Sequence, residues 1–239
     1  MEPARDLTST AGGAALPYSV ERHNAPFRRP ETVVFQVDST VSSLDGLAWL
    51  IRQREPEVGQ RLAALDREAA AQRWSWADLV RARLKLLRPR RAEINELGAA
   101  YLATLLPGVA DAATALRRAG ITVTLASDVA AEALFGVATA LGVSPNELYA
   151  PRLRFDAIGA YLGCDLNTAR PDDEAAEAPH RLGAPAGRTL FVGTRRSAAF
   201  APRGTDDFVS FSGVVAQEGR PEALATIASF HDLAPLVLR

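Results

Sequence analysis

At Thr32-Val33-Val34-Phe35-Gln36-Val37 an unpatterned chain becomes a short apolar run. Such a run suits a strand covered on both faces in a parallel sheet, because neither set of its alternate side chains can be left in water. From Leu106-Pro107-Gly108-Val109 onward, similar runs recur between helical stretches. The pattern predicts a helix to Arg118 ended by Gly120, then a strand over 121–126. A second helix is expected to about Leu141, with Gly142 as its stop signal. Further short strands are expected over 152–155, 160–162, 189–192, 208–211 and 225–228. Strands separated by helices at this spacing predict an α/β fold built on a parallel sheet.

The stretch from about 46 to 104 follows a different rule. It is rich in Leu, Ala, Arg and Glu at helical spacing, with breaks at Pro56, around Trp74-Ser75-Trp76 and at Pro89. Three or four helices are expected there. Because this block follows the first strand and precedes the others, it reads as an insertion into the α/β fold. The expected organisation is a flexible or draped tail over 1–30, an α/β core over 31–45 and 105–239, and a helical cap over 46–104.

A chain of 239 residues is long enough for one large domain with a sizeable core. Its net charge of −1 gives no basic field for nucleic acid or an anionic membrane, and no apolar run approaches membrane-helix length. No signal peptide is recognised, and Cys164, the lone cysteine, excludes an intrachain disulfide, so a cytoplasmic protein is expected. Lys85 is the one lysine among 27 basic residues, leaving 26 arginines. Any chemistry that needs a lysine therefore has one candidate.

The segment Phe35-Gln36-Val37-Asp38-Ser39-Thr40-Val41 resembles the first motif of the haloacid dehalogenase superfamily, and most closely that of phosphoserine phosphatases, which read Asp-x-Asp-Ser-Thr-Val after an apolar strand. The resemblance continues through Leu106-Pro107-Gly108-Val109, Leu125-Ala126-Ser127, Arg152-Leu153-Arg154-Phe155, Phe191-Val192-Gly193 and Phe208-Val209-Ser210-Phe211-Ser212-Gly213. It implies a Rossmann-like parallel-sheet core with an inserted helical-bundle cap. In this family the first Asp attacks phosphorus, the second is the general acid and base, and a Ser and a Lys hold the phosphoryl oxygens. Later acidic residues complete a Mg²⁺ site.

Set against that pattern, the nucleophile position holds Gln36, whose amide is not a competent nucleophile. The acid/base position is Asp38 and the phosphate-binding serine is Ser127. Asp128 replaces the family's glycine, and Gly193-Thr194-Arg195-Arg196-Ser197-Ala198 replaces its acidic motif. No lysine lies between 130 and 193. The resemblance thus implies a protein that has left Mg²⁺-dependent phosphatase chemistry, with no metal and no cofactor called for.

A ligand pocket is still implied. Counting nine from Gln36 gives Asp45, in the place of the family's ammonium-binding Glu, and Arg83 takes the place of its carboxylate-binding Arg. Trp76 falls where an aromatic lines the pocket. Asp45 reads equally as the N-cap of a helix starting at Gly46, and Arg83 as a surface arginine. Arg195 and Arg196 are expected to face the old reactive centre, either clamping a carboxylate or phosphate or neutralising Asp38 and Asp128.

Two functions follow. One is a metal-independent enzyme acting on an amino-acid-like or other small metabolite. In it Asp38 is the acid/base and Gln36, Ser127 and Thr194 are hydrogen-bond donors, with Asp45, Arg83, Trp76, Asp128, Arg195 and Arg196 holding the substrate. The other is a non-catalytic pseudophosphatase that binds a small ligand or a protein partner.

Overall fold

The computed structural model describes residues 21–22, 28–166, 188–194, 207–215 and 223–239. Strand β2 (Thr32–Gln36) lies near the middle of a seven-stranded sheet, and the apolar run explains its place: Val33, Val34 and Phe35 are all buried. On one side β2 pairs in parallel with β3 (Thr122–Ala126), and β3 with β4 (Leu148–Tyr149). On the other side lie β7 (Thr189–Gly193), β8 (Asp207–Phe211) and β9 (Ala225–Ile227), again parallel. Six parallel strands therefore make the core sheet.

The seventh strand falls within the tail. Glu21–Arg22 form β1, which pairs antiparallel with β9 in the register Glu21↔Thr226 and Arg22↔Ala225. A backbone ladder needs no apolar run, so these polar residues gave no strand signal. Strand β4 was not foreseen either, since two residues carry no readable period.

Four helices occupy the block after β2: α1 (Gly46–Ile51), α2 (Pro56–Gln72), α3 (Trp76–Leu87) and α4 (Arg91–Ala103). Pro56 starts α2, where its missing N–H costs nothing, and Ser75 caps α3 by accepting from Asp78 N–H. Arg54, between α1 and α2, is tied to the start of α4, with Nη1 and Nη2 each 2.7 Å from the Glu93 carboxylate. Helix α5 (Val109–Arg118) and helix α6 (Ala131–Leu141) flank the sheet, and α7 (Leu233–Val237) lies near the chain end. Gly142 ends α6 at φ 66°, a conformation that favours glycine.

Helix α4 packs along α6, with Gly98 against the Ala133 backbone, so the last helix of the insertion lies on the core. One apolar cluster runs through both blocks, from Leu62, Val80 and Leu97 to Val123, Leu134 and Val192. The two connections of the insertion are also tied together. Ser43 N–H donates to Thr104 O, Leu106 N–H donates to Val41 O, and the Ser42 and Thr104 hydroxyls lie 2.7 Å apart. A separate antiparallel hairpin, β5 (Arg152–Phe155) and β6 (Tyr161–Asp165), turns through Gly159 and lies beside α3.

Candidate functional site

Parallel strands release their loops at one edge of the sheet, and those of β2, β3 and β7 carry the candidate residues. Register places Gln36 opposite Ala126 and Phe35 opposite Val192, so Gln36, Ser127 and Thr194 meet at adjoining strand ends. The chain after Gln36 makes a single tight turn over Val37–Val41, with Ser39 in the left-handed region at φ 54°. That turn brings Asp38 back over the strand ends.

Gln36 is engaged through its carbonyl oxygen. Oε1 accepts the Thr194 N–H at 3.1 Å and lies 3.4 Å from the Thr40 hydroxyl and 3.5 Å from that of Thr194. A backbone N–H can only donate, which fixes the amide orientation and leaves Nε2 as the donor end.

Asp38 is 9% exposed and accepts three hydrogen bonds. Oδ1 takes the Gly46 N–H at 2.8 Å and the Tyr101 hydroxyl at 2.5 Å; Oδ2 takes the Ser127 hydroxyl at 2.7 Å. Burial pushes its carboxyl from the ordinary 3.8 up to about 6, against the pull of the Tyr101 and Ser127 bonds and with a further upward push from Asp45. Burial, with the adjacent Asp38 charge, also drives the Tyr101 hydroxyl well above its ordinary value. The space is tight: a Cβ at position 46 would run into the Tyr101 hydroxyl, so only glycine gives Asp38 that N–H.

Tyr101 is the residue that sequence reasoning missed. It lies 63 positions from Asp38 on α4, among small and aliphatic neighbours in the helix's second half, and nothing local distinguishes it from a packing tyrosine. The Ser127 hydroxyl donates to Asp38 and accepts from Val129 N–H at 3.2 Å, so its one proton is engaged within the chain.

A second cluster lies on the α3 side. The Trp76 indole N–H donates to Asp128 Oδ1 at 2.7 Å, and Arg83 Nη1 is 3.8 Å from Asp128 Oδ2. Arg83 Nε also donates to Asp66 Oδ1 at 2.9 Å. The structure thus brings Trp76, Arg83 and Asp128 together and points the Asp128 carboxylate at α3. Asp45 caps α1 by accepting the Ala48 N–H at 2.8 Å. Arg188 pairs with Asp207, while Arg195 and Arg196 lie outside the described residues, as do Arg181, His23 and His180. Cys164 is half-buried, its thiol pushed up by burial.

The described residues do not fit Mg²⁺. The ion wants hard, mostly anionic oxygens, whereas the Gln36 oxygen is neutral and engaged, and the Asp38 oxygens are engaged by three donors. Among the described residues no group of three or more His, Cys, Asp or Glu side chains is placed to hold a metal.

The architecture and the sequence both have relatives. The chloroplastic phosphoserine phosphatase of Arabidopsis thaliana is 27% identical over 197 residues, 80% of this chain and 66% of that protein. The phosphoserine phosphatase of Rattus norvegicus is 28% identical over 139 residues, 58% of this chain and 61% of that protein. The chain thus spans somewhat under two thirds of the length of these relatives. A phosphoserine phosphohydrolase-like protein from Francisella tularensis superposes with a TM-score of 0.67 at 16% identity, over 87% of this chain and 99% of that one. No protein-family model matches the chain. The parallel sheet and the inserted helices give this chain a haloacid dehalogenase-like fold. In sequence it is similar to phosphoserine phosphatases. No helix among the described residues is long and apolar enough to cross a membrane.

Proposed function

We propose that this chain uses a phosphoserine phosphatase-like pocket to bind an amino-acid-bearing small molecule, and does not pass a phosphoryl group through an aspartyl ester. The observation that carries this reading is the engagement of both residues in the reactive positions. Gln36 offers an amide with its oxygen held by Thr194. Asp38 has both acceptor positions of Oδ1 filled by Gly46 and Tyr101 and one of Oδ2 filled by Ser127, so a proton from water or substrate has only the remaining position of Oδ2 to enter. What Gln36 still offers is its Nε2 donor, suited to a ligand oxygen.

One observation favours the runner-up, a metal-independent enzyme with Asp38 as acid and base. A buried carboxyl held at about 6 exchanges a proton readily near neutral pH. The likeness to phosphoserine phosphatases makes L-phosphoserine the first compound to assay. Calorimetry with L-serine and L-phosphoserine is expected to show binding of L-serine, weakened at least tenfold, about 1.4 kcal/mol, in Arg83→Ala. Phosphate release from L-phosphoserine is expected to match an Asp38→Asn control, with or without millimolar Mg²⁺. Release well above that control means turnover, and the binding reading is then wrong.

A further inference from the structure

The contact between Asp128 and α3 has a chemistry of its own. An indole N–H on one side and a guanidinium on the other is a donor pair suited to a carboxylate, and here a carboxylate of the chain itself occupies it. The Asp128 Oδ1 accepts from Trp76 at 2.7 Å, and Oδ2 faces Arg83 Nη1 at 3.8 Å. Asp128 stands in the loop between β3 and α6, while Trp76 and Arg83 lie about two turns apart on one helix, α3, of the inserted block. The contact therefore joins the insertion to the loop that also carries Ser127.

Charge counting shows what this contact permits. Among the described residues Arg83 also holds Asp66 at 2.9 Å, so two of their carboxylates share its guanidinium. Adding a third would put three negative charges around one positive, which is unfavourable for partly buried groups. Exchanging one carboxylate for another leaves the count unchanged. The Arg83 side chain is 12% exposed and that of Asp128 is 30% exposed, so Asp128 can swing out to water while Arg83 stays in place. Asp66, on α2, holds Arg83 at 2.9 Å against 3.8 Å for Asp128, so Asp128 is the more weakly held of the two at the guanidinium.

We propose that Asp128 is an internal pseudo-ligand: it occupies the Trp76–Arg83 donor pair, latches α3 to the β3–α6 loop, and is displaced when a carboxylate-bearing small molecule binds. The ligand half of this inference rests on the binding reading above; the latch half does not. A consequence is selectivity by exchange. A monoanionic carboxylate replaces Asp128 like for like, whereas a phosphate dianion adds charge beside Asp66.

Two measurements on the full chain test the two halves. Without ligand, hydrogen–deuterium exchange of Trp76–Leu87 amides is expected to quicken at least threefold in Asp128→Gly, and likewise in Trp76→Phe, which keeps the ring and loses the donor. With ligand, Asp128→Gly is expected to bind L-serine at least tenfold tighter than the unsubstituted chain by calorimetry. Serinamide, which lacks the carboxylate, is expected to bind both alike. Unchanged exchange in both variants overturns the latch. Equal L-serine affinity in Asp128→Gly and the unsubstituted chain overturns the displacement. Phosphoserine turnover by the unsubstituted chain overturns only the function proposed above, since the exchange measurement needs no ligand.

Discussion

Asp38 and Glu93 are both carboxylates with three donors, yet they shift in opposite directions. Glu93 takes two hydrogen bonds from Arg54 and one from the Arg90 N–H. Burial raises it, but the Arg54 and Arg90 bonds and the Arg54 charge outweigh burial, and its carboxyl falls below the ordinary value. Asp38 has the Tyr101 and Ser127 hydroxyls and the Gly46 N–H instead; burial wins, and it rises to about 6. Neutral dipoles fill the lone pairs of a carboxylate without repaying the desolvation of its charge, while a guanidinium does both. The Glu93 end of the insertion is held by an ion pair, and the Asp38 end by a group that titrates within reach of neutral pH.

The largest expected effect is on the pH dependence of stability. The Asp38 carboxyl is raised in the folded chain relative to 3.8 in the unfolded one. Its contribution is fully present below pH 3.8 and is lost as pH rises through about 6. A shift of this size corresponds to about 3 kcal/mol. Urea unfolding at pH 4 and pH 7 is expected to show that loss in the unsubstituted chain and not in Asp38→Asn. An equally steep loss in Asp38→Asn would place the titration on another group.

The other half of the comparison breaks in the opposite sense. Glu93 has a lowered carboxyl, so its contribution is present above its unfolded value and is lost as pH falls through the folded one. The side chains are only 15% and 20% exposed, and Arg54→Met leaves Glu93 with one of its donors. A loss of about 2–3 kcal/mol is expected at pH 7, allowing for that residual exposure, shrinking toward pH 3. Urea midpoints at the two pH values measure it. A smaller effect follows from Tyr101→Phe, which removes one neutral donor: about 1–2 kcal/mol at pH 7. Because the Tyr101 bond pulls Asp38 down, its loss is expected to raise the Asp38 midpoint further, read by carboxyl carbon NMR. A downward move would mean that the hydroxyl is not that donor.

These two acids differ as much in how far they can be read from sequence. The strands at 32–36, 122–126 and 189–193 were legible because burial on both faces demands consecutive apolar residues, and the helix stop at Gly142 because few residues accept its backbone. The turn bearing Asp38 was legible through its neighbours Ser39, Thr40 and Val41. Its partners were not. Tyr101 and Gly46 reach Asp38 by packing of α4 against α1, a contact between helices that no local period encodes. The Trp76–Asp128 bond, 52 positions apart, was invisible for the same reason, although each residue was a candidate by itself. Strand β1 was missed because an edge ladder constrains backbone more than side chain.

Asp45 gives the finest division of the comparison, since it acts on Asp38 by charge and on α1 by hydrogen bonding. Its carboxylate accepts the Ala48 N–H at 2.8 Å, and its charge is one of the causes that raise Asp38. Asn at an N-cap accepts the same bond about as well, so Asp45→Asn is expected to cost under about 1 kcal/mol, from the lost charge at the helix start. The lost charge also removes an upward push, so the Asp38 midpoint is expected to fall toward 3.8. Less stability should then be lost as pH rises from 4 to 7. Carboxyl carbon titration of Asp38 in Asp45→Asn checks the sign, and Asp45→Ala, which also loses the cap bond, separates the two roles. If the Asp38 midpoint stays in place in both variants, the elevation belongs to burial, and Asp45 is a helix cap with no electrostatic reach into the site.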